Sequence, residues 1–303
     1  MTATWWVRRA GPAAALVLLA GCAGVGAGNG DRSSLGTLTR ATSSVTAAPS
    51  RSAGAAQSTA SPERTATTAS SSSEPAATAS TSGPLAGRVI VLDPGHNGEN
   101  AEHTDEISQL VDAGGFEKAC NTVGTQTSSG FPEATFNWEV GQLLAARLRA
   151  DDATVILTRR SNDGWGPCID ARGRIAAENH ADLLLSIHAD GAASTEHGFH
   201  VISPSPLDGY TTATRAARSA ALARAVRDAM VDARFVISTY AGTAGLVVRG
   251  DLGTLNLAGV PAAMIECGNM LNPGDSAVME SKTGRGRIAA ALAAGVRHFL
   301  SNT

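Results

Sequence analysis

Short runs of Val, Ile, Leu and Ala, bounded by Gly and Pro, alternate along the second two thirds of this chain with longer stretches in which apolar residues return every three or four positions. Runs of that first kind read as strands buried on both faces, as in a parallel sheet. They fall near residues 89–93, 154–158, 183–188, 199–202, 246–248 and 262–266. The second kind predicts helices with one apolar stripe. Over residues 134–149 the stripe is Phe136, Val140, Leu143, Leu144 and Leu148; over 211–233 it is Leu222, Val226 and Met230; over 285–300 it is Ile288, Leu292, Val296 and Phe299. Strands alternating with helices predict a single α/β domain around a largely parallel sheet. Residues 98–131 are polar and Gly-rich, which predicts a long irregular excursion of the sort that often carries function.

The first part of the chain has a different pattern. Arg8 and Arg9 precede an apolar stretch over residues 13–20 that is too short to span a bilayer, and Leu19-Ala20-Gly21-Cys22 follows. Basic residues, a short apolar segment and small residues before a cleavage point predict a signal peptide over residues 1–21. The four residues ending in Cys22 resemble a bacterial lipobox, which implies a lipid on Cys22, a membrane anchor and an exported protein facing the cell wall or periplasm. A plain secretory signal with Cys22 incidental is the alternative. Residues 22–86 are Ser, Thr, Ala, Gly and Pro with scattered charges, and lack the large apolar side chains needed to offset chain entropy, so a disordered linker is expected there. The folded domain is expected over residues 87–303. The formal net charge of -3 gives no basic patch and no reason to expect a nucleic-acid partner.

Three of the strand-like runs end in reactive side chains. Residues 88–96 end in Asp93-Pro94-Gly95-His96, residues 182–190 contain Ser186-Ile187-His188, and residues 260–268 end in Glu266-Cys267-Gly268. In open α/β sheets reactive groups gather just outside the carboxyl ends of the strands. Two histidines and a glutamate arriving there from distant parts of the chain predict a metal hydrolase. A catalytic zinc takes three protein ligands and leaves one position for water. His96 and His188 supply two. Spacing leaves the third open among Glu133, at the start of the first helix, Glu139 on another face of that helix, and Glu99, Glu102 and His103 in the excursion. Glu266 is the natural general base toward a zinc-bound water. Arg249 could pair with Glu266, contact substrate or stabilise an oxyanion. His180, His197, His200 and His298 are read as bystanders.

Asp93-Pro94-Gly95-His96, Glu133 with Asn137, Ser186-Ile187-His188-Ala189 and Glu266-x-Gly268 resemble the zinc-dependent N-acetylmuramoyl-L-alanine amidases (the amidase type 3 family). Arg172, Asn272-Pro273 and Asp275 fit the same pattern. The resemblance spans the whole folded part and is closest to the compact mycobacterial and actinobacterial branch, with its Cys120 and Cys168. It implies a mixed, mostly parallel sheet flanked by helices. It also implies one Zn2+ per chain held by His96, Glu133 and His188, with Glu266 catalytic. The implied reaction is hydrolysis of the amide between N-acetylmuramic acid and the L-alanine of the stem peptide in peptidoglycan, with muropeptide as substrate. A monomer is expected. Hydrolysis of another cell-wall amide, or a silent peptidoglycan-binding lipoprotein, are the alternatives; the second predicts loss of the ligands or the base, and all four residues are present.

The chain departs from the family at Ala177, where Asn is frequent, and at Cys267, where an apolar residue is usual. A Cys120–Cys168 disulfide is expected in an exported domain. Cys267 is expected to be a buried thiol rather than a nucleophile, because consecutive residues of a strand face opposite sides.

Overall fold

The computed structural model describes residues 82–303. The expected signal peptide, the Cys22 lipidation site and nearly all of the linker lie outside the described residues. In chain order the elements are β1 (Val89–Pro94), α1 (Thr104–Ile107), β2 (Leu110–Asp112), β3 (Glu117–Ala119), α2 (Glu133–Ala150), β4 (Thr154–Leu157), α3 (Ile169–Glu178), β5 (Leu183–Asp190), β6 (His200–Pro204), α4 (Ala213–Asp232), β7 (Leu246–Arg249), α5 (Gly253–Asn256), β8 (Ala262–Asn269), α6 (Pro273–Glu280) and α7 (Lys282–Ser301). All six expected strands form one sheet in the order β4-β1-β5-β8-β6-β7. β4, β1, β5 and β8 are mutually parallel, β6 runs antiparallel to β8, and β7 is parallel to β6. The sheet is therefore mixed and mostly parallel, flanked by helices.

Alternation along the three central strands divides the side chains between two cores. Ile90 and Leu92 of β1, Leu183, Leu185 and Ile187 of β5, and Ala263, Ile265 and Cys267 of β8 enter the larger one, roofed by α2, α4 and α7. Val91, Leu184, Ala262 and Met264 enter the smaller one, beneath α3 and α5. On this second face the apolar residues give out towards the carboxyl ends of the strands. Asp93, Ser186, His188 and Glu266 occupy the next positions of the same parity, so the smaller core continues directly into polar chemistry.

The helices follow their stripes. Phe136, Val140, Leu144 and Leu148 of α2 are buried, as are Leu222, Val226 and Met230 of α4 and Ile288, Leu292, Val296 and Phe299 of α7; Leu143, expected in the first stripe, is exposed. Thr212 and Ser281 cap α4 and α7 by accepting from the N–H groups of Arg215 and Gly284. Leu85, just ahead of the expected domain boundary, is buried in the larger core.

The excursion is more ordered than expected. It contains α1 and the β2–β3 hairpin, and Cys120, directly after β3, is disulfide-bonded to Cys168, 48 residues away. In the chain-entropy view a loop of that length is worth on the order of 4 kcal/mol. Besides the single-turn α1 and α5, two longer helices escaped the periodicity. In α3 the inward residues are Arg172, Gly173 and Ala176, a charge and two small residues where a stripe would show large apolar ones, and α6 buries only Met279.

Candidate active site

β1 delivers His96 through a strained turn. His96 has φ 55, a left-handed conformation that a non-glycine residue adopts only when its surroundings hold it there. Two buried guanidinium groups do so. Arg172 Nη1 donates to the Pro94 carbonyl at 2.9 Å and to Asp93 Oδ1 at 2.9 Å, and its Nη2 donates to the His96 carbonyl at 2.9 Å. Its Nε donates to the Pro167 carbonyl at 2.7 Å. Arg159 Nε donates to Pro94 O at 2.8 Å, and its Nη2 donates to Ala134 O at 2.8 Å, which ties the turn to the start of α2. Gly95 has no substitute here: a Cβ on it would lie 2.1 Å from His188 Cε1.

Glu133 opens α2 and turns its carboxylate between the two histidines. Oε1 is 3.2 Å from His96 Nε2 and 3.0 Å from His188 Nδ1, and also accepts from Ala189 N and Asn137 Nδ2 at 3.2 Å each. Oε2 accepts from Thr125 N at 3.0 Å. The ligand atoms of His96, Glu133 and His188 lie within 4.8 Å of one another. His96 Nδ1 is 2.9 Å from the Thr122 carbonyl, so that nitrogen carries the proton and Nε2 is left as the free lone pair. Burial alone would lower the His96 pKa, but the Glu133 carboxylate raises it. Burial would likewise raise Glu133, yet the two imidazoles hold it well below the carboxylate range. Two imidazole nitrogens and one carboxylate oxygen, with one ring fixed through its second nitrogen to a carbonyl, form a donor set that fits a catalytic zinc.

Glu266 comes in on β8, beside His188 in the parallel register and opposite His200 in the antiparallel one. Its Oε2 is buried without a hydrogen-bond partner. Burial pushes its pKa well up, and the charges of Glu133 and Asp190 add to this against the opposing Arg249. All four residues line one cleft of 490 Å³, together with Arg249 and Lys118. That size suits a small substrate segment rather than a protein surface.

Other candidates fall outside this arrangement. Glu139 is paired with Arg285 at 2.7 Å, and His103 with Glu106 at 3.2 Å; neither lines the cleft, nor do Glu99 and Glu102. Arg249 does line it, but its guanidinium is committed to Asp251, through Nε at 2.8 Å and Nη2 at 2.7 Å, so the expected alternative of an Arg249–Glu266 ion pair is not formed. Cys267 is buried on the opposite face from Glu266, in the larger core, and burial pushes its thiol pKa well up. Arg159 had no sequence signal, since a charged residue just after a strand ordinarily reads as surface. His200, read as a bystander, is buried beside Glu266.

The sequence matches the family described as N-acetylmuramoyl-L-alanine amidase over residues 90–298. It is 42% identical over 219 residues to the N-acetylmuramoyl-L-alanine amidase Rv3717 of Mycobacterium tuberculosis, covering 72% of this chain and 88% of that one. Among solved structures, the N-acetylmuramyl-L-alanine amidase Ami1 of Mycobacterium smegmatis aligns with TM-score 0.69 and 38% identity, over 72% of this chain and 99% of that one. Ami1 of Mycobacterium abscessus aligns with TM-score 0.67 and 40% identity, over 71% of this chain and all of that one.

Proposed function

This chain belongs to the N-acetylmuramoyl-L-alanine amidase family and is a peptidoglycan hydrolase, and from that premise we propose that it cuts the amide between N-acetylmuramic acid and L-alanine with a zinc ion held by His96, Glu133 and His188. The observation that carries the zinc reading is the convergence of two imidazoles and a carboxylate in one cleft with a second, unpaired carboxylate. Zinc supplies Lewis acidity when bound, which polarises a carbonyl oxygen and makes hydroxide available at neutral pH. Glu266 does the proton work. Its buried, raised carboxyl holds a proton readily, so it takes one from the attacking water and returns it to the departing amine of L-alanine. Arg249, fixed by Asp251 at the side of the cleft, is placed for a substrate carbonyl or carboxylate.

The same reading places the catalytic domain at residues 87–303, with a signal peptide and linker before it. Export and a lipid on Cys22 rest on Leu19-Ala20-Gly21-Cys22. A monomer suffices, because one chain supplies the three ligands and the base. The test is mass spectrometry of muropeptide products from zinc-loaded protein, with Glu266→Gln run beside it. Glycan carrying a free lactyl acid, together with a peptide beginning at L-alanine, is expected from the wild type and not from the variant. Cleavage at another amide would move the substrate assignment while leaving the metal chemistry in place.

A further inference from the structure

Among the described residues eight buried side-chain polar atoms lack a hydrogen-bond partner, and three of them belong to one neighbourhood: Glu266 Oε2, His200 Nδ1 and Tyr240 Oη. Native interiors leave few such atoms, so three together call for an explanation. His200 is the direct antiparallel partner of Glu266. Residues directly opposite in an antiparallel pair project from the same face with Cβ atoms about 4.5–5.5 Å apart. The imidazole is 4% exposed and therefore stands in the protein beside the carboxylate. Tyr240 packs edge-on against it, ring centroids 5.9 Å apart at 87°. That placement is fixed from the backbone: Phe199 N donates to Val236 O at 2.9 Å, Ser238 N to Phe199 O at 2.7 Å, and Thr239 N to His197 O at 3.0 Å. The segment carrying Tyr240 is thus laced to the start of β6.

We propose that His200, held by Tyr240, is a positioning residue that orients Glu266 by hydrogen-bonding its inward oxygen, leaving the outward oxygen aimed at the substrate. The proposal rests on the reading of Glu266 as the base. A base oriented by a third group is a recurring catalytic arrangement. The carboxylate must present one oxygen to water and then to the amine without rotating away, and a bond from His200 to its other oxygen through one bridging water fixes that orientation. His200 suits the task because it adds no charge: burial lowers its pKa, Arg249 does so further, and the Asp190 carboxylate opposes them without reversing the direction.

The experiment compares His200→Phe, His200→Asn, Glu266→Gln and the double variant Glu266→Gln/His200→Phe in the zinc-loaded full chain, reading kcat, KM, zinc affinity and the thermal midpoint. His200→Phe should lower kcat by about tenfold or more, part of what general acid–base catalysis contributes, with KM and zinc affinity within about twofold. Its midpoint should fall by no more than a few degrees, since one hydrogen bond is lost while an apolar ring of similar size fills the space. His200→Asn, which keeps a donor near the Nδ1 position, should recover most of the rate. The double variant should be no slower than Glu266→Gln, as expected of residues that act as a unit. Wild-type kcat in His200→Phe, or a multiplicative loss in the double variant, would overturn the inference while leaving Glu266 as the base. An active Glu266→Gln would remove the base assignment and this inference with it.

Discussion

Arg172 is the residue whose replacement should most clearly separate site architecture from site chemistry. Buried beneath the His96 turn, its guanidinium holds the Pro94 and His96 carbonyls, the Asn97 side chain and the Asp93 carboxylate. Arg172→Met keeps the volume and removes every one of these bonds. Burial alone would raise the Asp93 carboxyl from 3.8, but Arg172 and the hydroxyls of Ser186 and Thr158 hold it at about 2. Because the folded value lies below the unfolded one, that contribution is present above about pH 4 and is lost as the pH falls through about 2. A shift of that size corresponds to roughly 2–3 kcal/mol. Leaving the Asp93 charge buried and unpaired should cost about 3–5 kcal/mol in all, out of a total stability on the order of 5–15 kcal/mol. Urea denaturation at pH 7 reads the loss directly. Zinc affinity, measured by chelator competition, should fall about 10–100-fold as the His96 turn relaxes. In the double variant Arg172→Met/Asp93→Asn the unpaired charge is gone, and about 1 kcal/mol or more should return. The pH dependence should also reverse at this group: in Arg172→Met burial dominates Asp93 and lifts its folded pKa above the unfolded one, so the penalty is full above the folded value and shrinks as the pH falls through it. A single variant within about 1 kcal/mol of wild type, or a double variant that loses the full sum, would refute the reasoning.

Gly95→Ala places a methyl group 2.1 Å from the His188 ring and should displace that ligand, lowering zinc affinity at least about tenfold with the fold intact; isothermal titration checks this. Cys267→Ala should retain full kcat, because the thiol faces the larger core and burial keeps it protonated; loss of activity with zinc bound would restore the nucleophile reading. Its stability should fall by no more than about 1 kcal/mol for the small volume removed, readable in the same urea titration.

Much of the fold was legible in local pattern. Runs of β-branched and aliphatic residues between Gly and Pro marked all six strands of the main sheet, and the stripes of α2, α4 and α7 appeared at their own spacing. His96, His188 and Glu266 stood out for the same reason, each ending an apolar run. Glu133 did not: spacing left it level with Glu139 and three residues of the excursion, and resemblance alone favoured it. In space the choice follows from where α2 begins, since its first residue faces the cleft while Glu139 faces Arg285. Sequence hid α3 because its inward residues are the charge Arg172 and the small Gly173 and Ala176, and the pattern of a helix stripe is written in large apolar residues. Arg249 could be named but not assigned, because its partner Asp251 is close in sequence while Glu266 is close only in the fold.

The chain by itself therefore determined the six strands of the main sheet, the three long helices α2, α4 and α7, and which reactive side chains lie at strand ends, because those properties depend on residues within one or two turns of each other. The tertiary structure decided the order and direction of the strands, which are long-range quantities with no local signature. That β6 runs antiparallel to β8 places His200 against Glu266; that β1, β5 and β8 are neighbours brings His96, His188 and Glu266 into one cleft. Burial of Arg172 and Arg159 beneath the His96 turn is decided at the same level, since a buried charge is stable only where the completed fold supplies all its partners.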